Sequence, residues 1–582
     1  MDVKLLDNST PTRRRGSVGQ LLVAAVFLFL PLAAFLVYPL LEAIRLGFIH
    51  EGRASLYWFG RTFGNEILMR QLANGVMLAC VTTLLCLILS VPLAALRAKC
   101  RFAGQSVLGI AVLLPLILPP FVGALSMKRL LGRFGTLNEI LGQLGLIDLS
   151  SGPLPPDWLS EGGFYGVAVL QALHLFPILY LNASAALANI DPAYSDAARN
   201  LGAGPIRTFF RVTLPLMRPG LFAGGTIVFI WSFTDIGTPL ILNYRPLVPV
   251  SIFHELNGGD YTGRTFSLVF VMLAVSVLLY WLGKFVFGRP VEAASSKATV
   301  QAETRKLGVL GTALAWLLFG GVVLLAILPH IGVVLHAFSD RWATTILPQS
   351  YTLEHMRSVV RDKNTYSSIL NSLRYAGVSV VVDIALGSLA AWLIVRGRMA
   401  GRKMLDGLVM LPLAIPGIIL AAGYVAMTVP GSPLQAIGPG GNPFLILVIA
   451  YSVRRLPFVV RGVSAGLEQV PETLEEAARN LGASKAGAVL RITAPLIVAN
   501  LIASGVLAFS FAMLEVSDSL ILAQTPESYP ITKQIYSLFT SGTGDSVNTA
   551  AALGVYGMLL LGGTMGLASL LLGRRLGAIF RA

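Results

Sequence analysis

Two carboxylates lie inside otherwise apolar segments, Asp235 in WSFTDIGTPL and Glu515 in FAMLEVSDSL. A carboxylate held at mid-membrane costs at least about 2.5 kcal/mol on insertion scales, so it is expected to face a bundle interior or an aqueous cavity and to have a partner. Two such acids, with Thr238 and Asp518 three residues on, could line a pathway or its gate and favour a cationic solute, facing each other across an axis between two halves. The alternative is that each acid hydrogen-bonds an unwound stretch of its own helix near Gly237 or Ser517, or lies at the outer interface. Little else in the chain offers chemistry. No Gly-x-x-x-x-Gly-Lys-Ser/Thr phosphate loop occurs, and the nearest Gly-Lys, Gly283-Lys284, ends an apolar run, so ATP hydrolysis by this chain is not expected. The six histidines are scattered, and Cys80, Cys86 and Cys100 have the spacing of neither a disulfide framework nor a metal site. No catalytic residue, metal ligand or bound cofactor is expected.

The segments that carry these acids belong to a membrane chain. Of 582 residues, 55% are hydrophobic and 13% charged, which excludes a large soluble core. A net charge of +15 would suggest nucleic acid in a soluble protein. Here the basic residues fall between apolar runs and read as topology determinants. The first run, about 21–41, is longer than a signal-peptide core. Further runs long enough to cross a bilayer, about 20 residues each, fall near 72–96, 106–127, 163–182, 219–243 and 266–287, then near 308–337, 370–395, 404–428, 443–460, 496–523 and 552–573. That makes six spans in each half.

The halves are repeats. DPAYSDAARNLGAGPIRTFFRVTLPLMRPG from Asp191 and PETLEEAARNLGASKAGAVLRITAPLIVAN from Pro471 share one register, which pairs Ala197 with Ala477, Gly202 with Gly482 and Pro215 with Pro495. The same register pairs Asp235 with Glu515 and Thr238 with Asp518. Each copy opens at a turn proline, Pro192 or Pro471, is read as placing acids in its first helical turn, and breaks at an internal glycine before a second helix enters the membrane. Upstream, LLPLILPP (Pro115, Pro119, Pro120) matches MLPLAIPG (Pro412, Pro416) at an offset of 297 residues against 280 at the repeat, so the first half carries 17 additional residues between its third and fourth spans. Prolines within spans remove helical hydrogen bonds and kink or break the helix, for gating or for packing alone.

These copies resemble the signature loop of the permeases of binding-protein-dependent ABC importers: Glu-Ala-Ala, three residues, Gly, nine residues, Ile, one residue, Leu-Pro. The second copy fits with Glu476, Ala477, Ala478, Gly482, Ile492 and Pro495, with Ala494 in place of Leu; the first has Asp196, Ala197, Ala198, Gly202, Val212, Leu214 and Pro215. The resemblance implies a fused type I permease that supplies both halves of a translocation pathway and borrows its energy. Its expected partners are two copies of a cytoplasmic ABC ATPase, which use ATP and Mg and dock one per loop, and a soluble substrate-binding protein on the outer face. The fused layout and FTDIGTPLILNYR look most like the iron(III) type, with 2-aminoethylphosphonate, thiamine and polyamine permeases as alternatives. A bulky charged residue at Gly482 is expected to abolish coupling.

The expected fold is an all-α polytopic membrane protein whose two six-helix halves are related by a pseudo-twofold axis along the membrane normal. Its divisions are a cytoplasmic N-terminal segment 1–18, transmembrane domains 19–288 and 307–576, a cytoplasmic linker 289–306 rich in Ala and Ser, and a cytoplasmic tail 577–582. Arg97, Lys99 and Arg101 match Arg396, Arg398, Arg402 and Lys403 in short loops, which places both loops and both repeat copies on the cytoplasmic side of a bacterial inner membrane. The outer loops 48–71 and 338–369, with Trp58, Phe59 and Trp342, suit docking of a separate protein or a polar loop capped by interfacial aromatics. A secondary transporter would also have repeats and broken helices, but its halves are commonly inverted, and a scaffold without transport would not need paired loops.

Overall fold

The protein is described from a computed structural model that covers residue 19 and residues 22–117, 120–149, 154–159, 163–287, 305–397, 399, 401–542 and 544–572. The terminal segments 1–18 and 577–582, and the linker up to residue 304, lie outside the described residues. The chain is almost wholly helical, as expected for a backbone that must satisfy its own polar groups in lipid.

In chain order the main helices are α1 (Leu22–Gly47), α2 (Glu66–Lys99), α3 (Pro120–Leu131), α4 (Phe164–Ala188), α5 (Pro192–Asn200), α6 (Leu214–Thr234), α7 (Gly237–Ile241), α8 (Val248–Asn257) and α9 (Gly263–Phe287). The second half repeats them as α10 (Val309–Phe338), α11 (Lys363–Val395), α12 (Arg402–Ala414), α13 (Gly417–Met427), α14 (Phe444–Gln469), α15 (Glu472–Asn480), α16 (Ala494–Met513), α17 (Ser517–Leu522), α18 (Ile531–Thr540) and α19 (Gly544–Leu572). Equivalent polar residues start equivalent spans: Asn65 accepts from the amides of Ile67 and Leu68 ahead of α2, and Asp362 from those of Asn364 and Thr365 ahead of α11. Each satisfies donors that a helix start leaves orphaned.

Among the described residues nine helices are long and apolar enough to cross a membrane, and two further helix pairs pass only together, bent by 99° and 103°. The bent pairs are the third expected span of each half. The break or kink expected from the prolines of 106–127 and 404–428 is a sharp one: α12 stops at Ala414, Ile415 is extended, and Pro416, with no amide hydrogen to donate, precedes α13. The expected span near 443–460 falls on α14, a helix of 26 residues that carries Arg454 and Arg455 in its middle and is not among the nine or in the bent pairs.

The halves exchange their first helices. α1 packs against α13, where Tyr424 Oη donates to the Phe35 carbonyl at 2.8 Å, and α10 packs against α3, where Ser126 Oγ donates to the Pro329 carbonyl at 2.7 Å. Small residues permit these approaches: a Cβ on Gly423 would stand 2.8 Å from the Pro39 carbonyl oxygen, and one on Gly332 2.8 Å from Ser126 Cβ. At one end of the bundle Cys100 and Arg101 pair as a short parallel ladder with Arg305 and Lys306, and Trp316 Nε1 donates to the Ala103 carbonyl at 2.9 Å. The end of the linker and the first basic loop thus share one end of the molecule. At the other end, the segments after α1 and α10 fold alike, a two-stranded ladder followed by a short helix (Tyr57–Phe63, Glu354–Arg361). Trp58 and Trp342 fasten these loops internally, donating to the carbonyls of Ile49 at 3.0 Å and Thr345 at 3.2 Å.

Candidate functional site

Both repeat copies are built alike. α5 and α15 end when the chain turns left-handed at Gly202 (φ +81°) and Gly482 (φ +93°). In the first, the Gly202 amide reaches the Arg199 carbonyl at 2.8 Å and the Ala203 amide the Ala198 carbonyl at 3.0 Å; in the second, Gly482 to Arg479 and Ala483 to Ala478 are both 3.0 Å. This pair of bonds is the Schellman stop, and glycine is favoured at its turning position because a Cβ there strains the backbone. After the turn a wide, π-type turn (Phe209–Thr213, Val489–Thr493) leads without a break into α6 and α16, with Pro215 and Pro495 just beyond it, where the missing amide hydrogen leaves a carbonyl of that turn without its helical donor.

The elements project from the bundle. Asp196, Ala197, Glu476 and Ala477 are exposed, Ala198 and Ala478 half-buried, and the leucine before each glycine stands almost free, Leu201 at 88% and Leu481 at 90% exposure. Exposed large apolar side chains on a twice-presented turn mark a contact surface. Sequence reading had passed over these leucines, although their place between Asn and Gly in both copies was visible. One expectation is corrected: α5 has no acid in its first turn. The helix begins at Pro192, which puts Asp196 a turn further in, and Asp191 instead caps the start by accepting from the Ala193 amide at 2.9 Å. α15 does carry Glu472 and Glu475 there. The basic loops lie beside these elements: Lys99 Nζ stands 5.6 Å from the Phe209 ring centroid, and Arg396 pairs with Glu472 at 3.1 Å and donates to the Leu467 and Val470 carbonyls.

The paired acids sit where the fifth span of each half breaks. α6 stops at Asp235, which is extended, and α7 restarts at Gly237; α16 stops at Leu514 and α17 restarts at Ser517. The breaks approach each other, since a Cβ on Gly237 would lie 3.3 Å from Val516 Cγ1 of the other half. Each carboxylate is bonded within its own half, and for Asp235 the partners include the Gly237 amide of its own unwound stretch, the expected alternative. Asp235 Oδ1 accepts from the Gly237 amide and Oδ2 from Gln171 Nε2 on α4, both at 3.0 Å. Gln171 Oε1 in turn accepts from Ser232 at 2.6 Å and Thr82 at 3.2 Å. Thr238 is fully buried at the start of α7.

The second half solves the same break with charge. Glu515 Oε1 accepts from Arg454 Nη1 at 2.5 Å and Oε2 from Arg455 Nη2, while Asp518 Oδ2 stands 3.4 Å from Arg454 Nη1. The Glu515 carbonyl freed by the break accepts from Ser519 Oγ at 2.6 Å and Thr532 Oγ1 at 2.7 Å. At this break Glu515 and Asp518 are matched by two arginines, whereas Asp235 in the first half is held by neutral hydrogen-bond donors. The physical reason is that a buried carboxylate needs counter-charge or hydrogen bonds. Arg454, Arg455 and Gln171 were missed, although two arginines inside an expected span are the kind of signal that singled out the acids.

The profile of the family described as "Binding-protein-dependent transport system inner membrane component" matches twice, over residues 90–289 and 383–580. The chain is similar to the ferric transport system permease protein FbpB of Actinobacillus pleuropneumoniae (27% identical, covering 86% of this chain and 71% of the relative) and to the Fe(3+)-transport system permease protein FbpB 2 of Haemophilus influenzae (23%, 85% and 88%). A solved bacterial ABC transporter involved in the import of the acidic polysaccharide alginate aligns over 45% of this chain and 93% of its own, with 20% identity and a TM-score of 0.34. With both of its halves matched, each including one of the paired projecting turns, this chain belongs to the family of binding-protein-dependent transport system inner membrane components.

Proposed function

We propose that the chain carries ferric iron across a bacterial inner membrane as the fused permease of an ATP-driven importer. The observation that carries the reading is the duplicated projecting element: two helices of nine residues, each stopped by a left-handed glycine and tipped by an exposed leucine, at matched places in the two halves. Two identical ATPase subunits would each receive one of them, with Ala197, Ala198 and Gly202, or Ala477, Ala478 and Gly482, against the groove wall. ATP and Mg belong to those subunits and not to this chain. The end that bears α5, α15 and the basic loops is read as cytoplasmic because of its arginines and lysines, and the looped segments after α1 and α10 as the outer face offered to a soluble binding protein.

Iron is favoured over 2-aminoethylphosphonate, thiamine and polyamines by the ferric relatives, which match across both halves in one chain. The breaks at Asp235 and Glu515, with Thr238 and Asp518, are read as the constriction of the pathway, because they meet between the halves while their charges are held aside. Uptake of radiolabelled ferric iron into proteoliposomes, with the proposed ATPase subunits and binding protein supplied, tests the proposal. ATP-dependent accumulation of iron is expected; accumulation of another of these solutes but not iron would overturn the substrate, and uptake without ATP would overturn the mechanism.

A further inference from the structure

Asp383 lies in the middle of α11, completely buried, and among the described residues neither of its carboxylate oxygens has a well-formed hydrogen bond, the Ser452 hydroxyl of α14 lying nearby. α11 and α14 run side by side in the same direction. One turn before Asp383, Ser379 Oγ donates to the Val448 carbonyl at 3.1 Å and Ser452 Oγ to the Ser379 carbonyl at 3.3 Å; one turn after it, Gly387 packs on Val459 and Leu456. Asp383 therefore faces the stretch of α14 between Ser452 and Val459, which bears Arg455. Arg455 is itself only partly used. Its Nη2 donates to Glu515 and to the Phe511 carbonyl at 2.8 Å, while its buried Nε has no partner. From α16 the neighbours of this stretch are apolar contacts, Gly505 against Ile384 and Val380. Three carboxylates, Asp383, Glu515 and Asp518, thus compete for two guanidinium groups, Arg454 and Arg455. The first half has no such contest: at the same register Cys86 stands for Asp383, Leu175 for Arg455 and His174 for Arg454.

We propose that Asp383 is a second acceptor for the Arg455 guanidinium, and that Arg455 passes from Glu515 to Asp383 during the transport cycle, releasing the break ahead of α17. An unpaired buried carboxylate is costly, and a guanidinium with two acceptors has two pairings of similar worth, which makes the pair a two-state element that movement of α14 against α16 can throw. Asp383 is then a positioning residue for the transport step, acting through Arg455. The first half, held by neutral hydrogen bonds, follows.

This inference rests on the importer reading, so its test needs no transported solute. In the transporter assembled with its ATPase subunits, hydrogen exchange of the 511–519 amides is followed with and without ATP and vanadate. In the wild type ATP is expected to alter exchange at 511–519 and also at α5 and α15. In Asp383→Asn the change at 511–519 should shrink about tenfold, with that at α5 and α15 kept, and Asp383→Glu should restore it. An Asp383→Asn protein with the full wild-type change overturns the proposal. If that variant fails to accumulate, the double variant D383C/R455L, which carries the first half's residues, decides: accumulation without the change at 511–519 supports the exchange, and accumulation with it overturns it. A wild type with no ATP-dependent change even at α5 and α15 would overturn the importer reading and the inference with it.

Discussion

Replacing Gly482 tests the idea that the projecting turn works through its backbone geometry. Its φ is +93°, and a Cβ there would meet nothing within 4 Å, so a larger residue creates no clash inside the chain and insertion of the protein is expected to be unaffected. The cost is conformational. A residue with a Cβ held in the left-handed region loses about 1–2 kcal/mol, more if β-branched, and only the two terminal bonds to the Arg479 and Ala478 carbonyls hold the turn. At about 1.4 kcal/mol per decade, the equilibrium ratio of native to altered turn falls about five- to thirtyfold in Gly482→Val. Uptake per inserted permease and co-purification of the ATPase should both fall, by up to that factor, whereas Gly482→Asn, which tolerates the left-handed region, should keep most of both. Equal loss in Val and Asn, or full activity in Val, would refute the backbone argument. Gly202 has the same geometry, φ +81° with open space around it, and the same ordering is expected there.

The two intramembrane acids should differ in kind. Glu515→Gln removes the carboxylate bonded to both Arg454 and Arg455, leaving Asp518 beside Arg454 alone, and is expected to cost about 3–5 kcal/mol, seen as a lower thermal midpoint of the solubilised protein; Asp235→Asn exchanges one neutral-partner hydrogen-bond network for another and should cost about 1 kcal/mol. Equal losses would contradict the asymmetry described here. Gly423→Leu, aimed at the Pro39 backbone across the exchanged α1, should cut abundance, while Gly407→Leu, with nothing within 4 Å, should not, and immunoblots of membranes compare them. Cysteines placed at Arg101 and Lys403 should react with an impermeant thiol reagent from the cytoplasm and those at Arg53 and Arg357 from outside; a reversal at any one would break the six-plus-six arrangement.

Much of the architecture was legible in the chain. Hydropathy and length delimit the spans because the bilayer imposes a single requirement, apolar side chains over a fixed thickness. The repeat of Ala197, Gly202 and Pro215 in Ala477, Gly482 and Pro495 marks duplicated elements with no reference to packing, since the Schellman stop is local and needs only glycine at its turn. Position within a span was equally readable for Asp235 and Glu515. What each acid touches was not.

That was decided by tertiary structure, for a physical reason: the partner of a buried charge comes from another helix, and its rotation about that helix axis is set by packing. Gln171 and Arg454 occupy α4 and α14, some sixty residues before the acids they serve, and only the packed bundle shows that one half neutralises its break with an amide and the other with two guanidinium groups. The 99° and 103° angles at which the third spans bend, the exchange of α1 and α10 between halves, and the bonding of each acid within its own half belong to the same class. The sequence alone determined that there are two halves, where their spans and turns lie, and which residues carry charge into the membrane; the fold decided which of those charges meet, because that depends on contacts between segments distant in the chain.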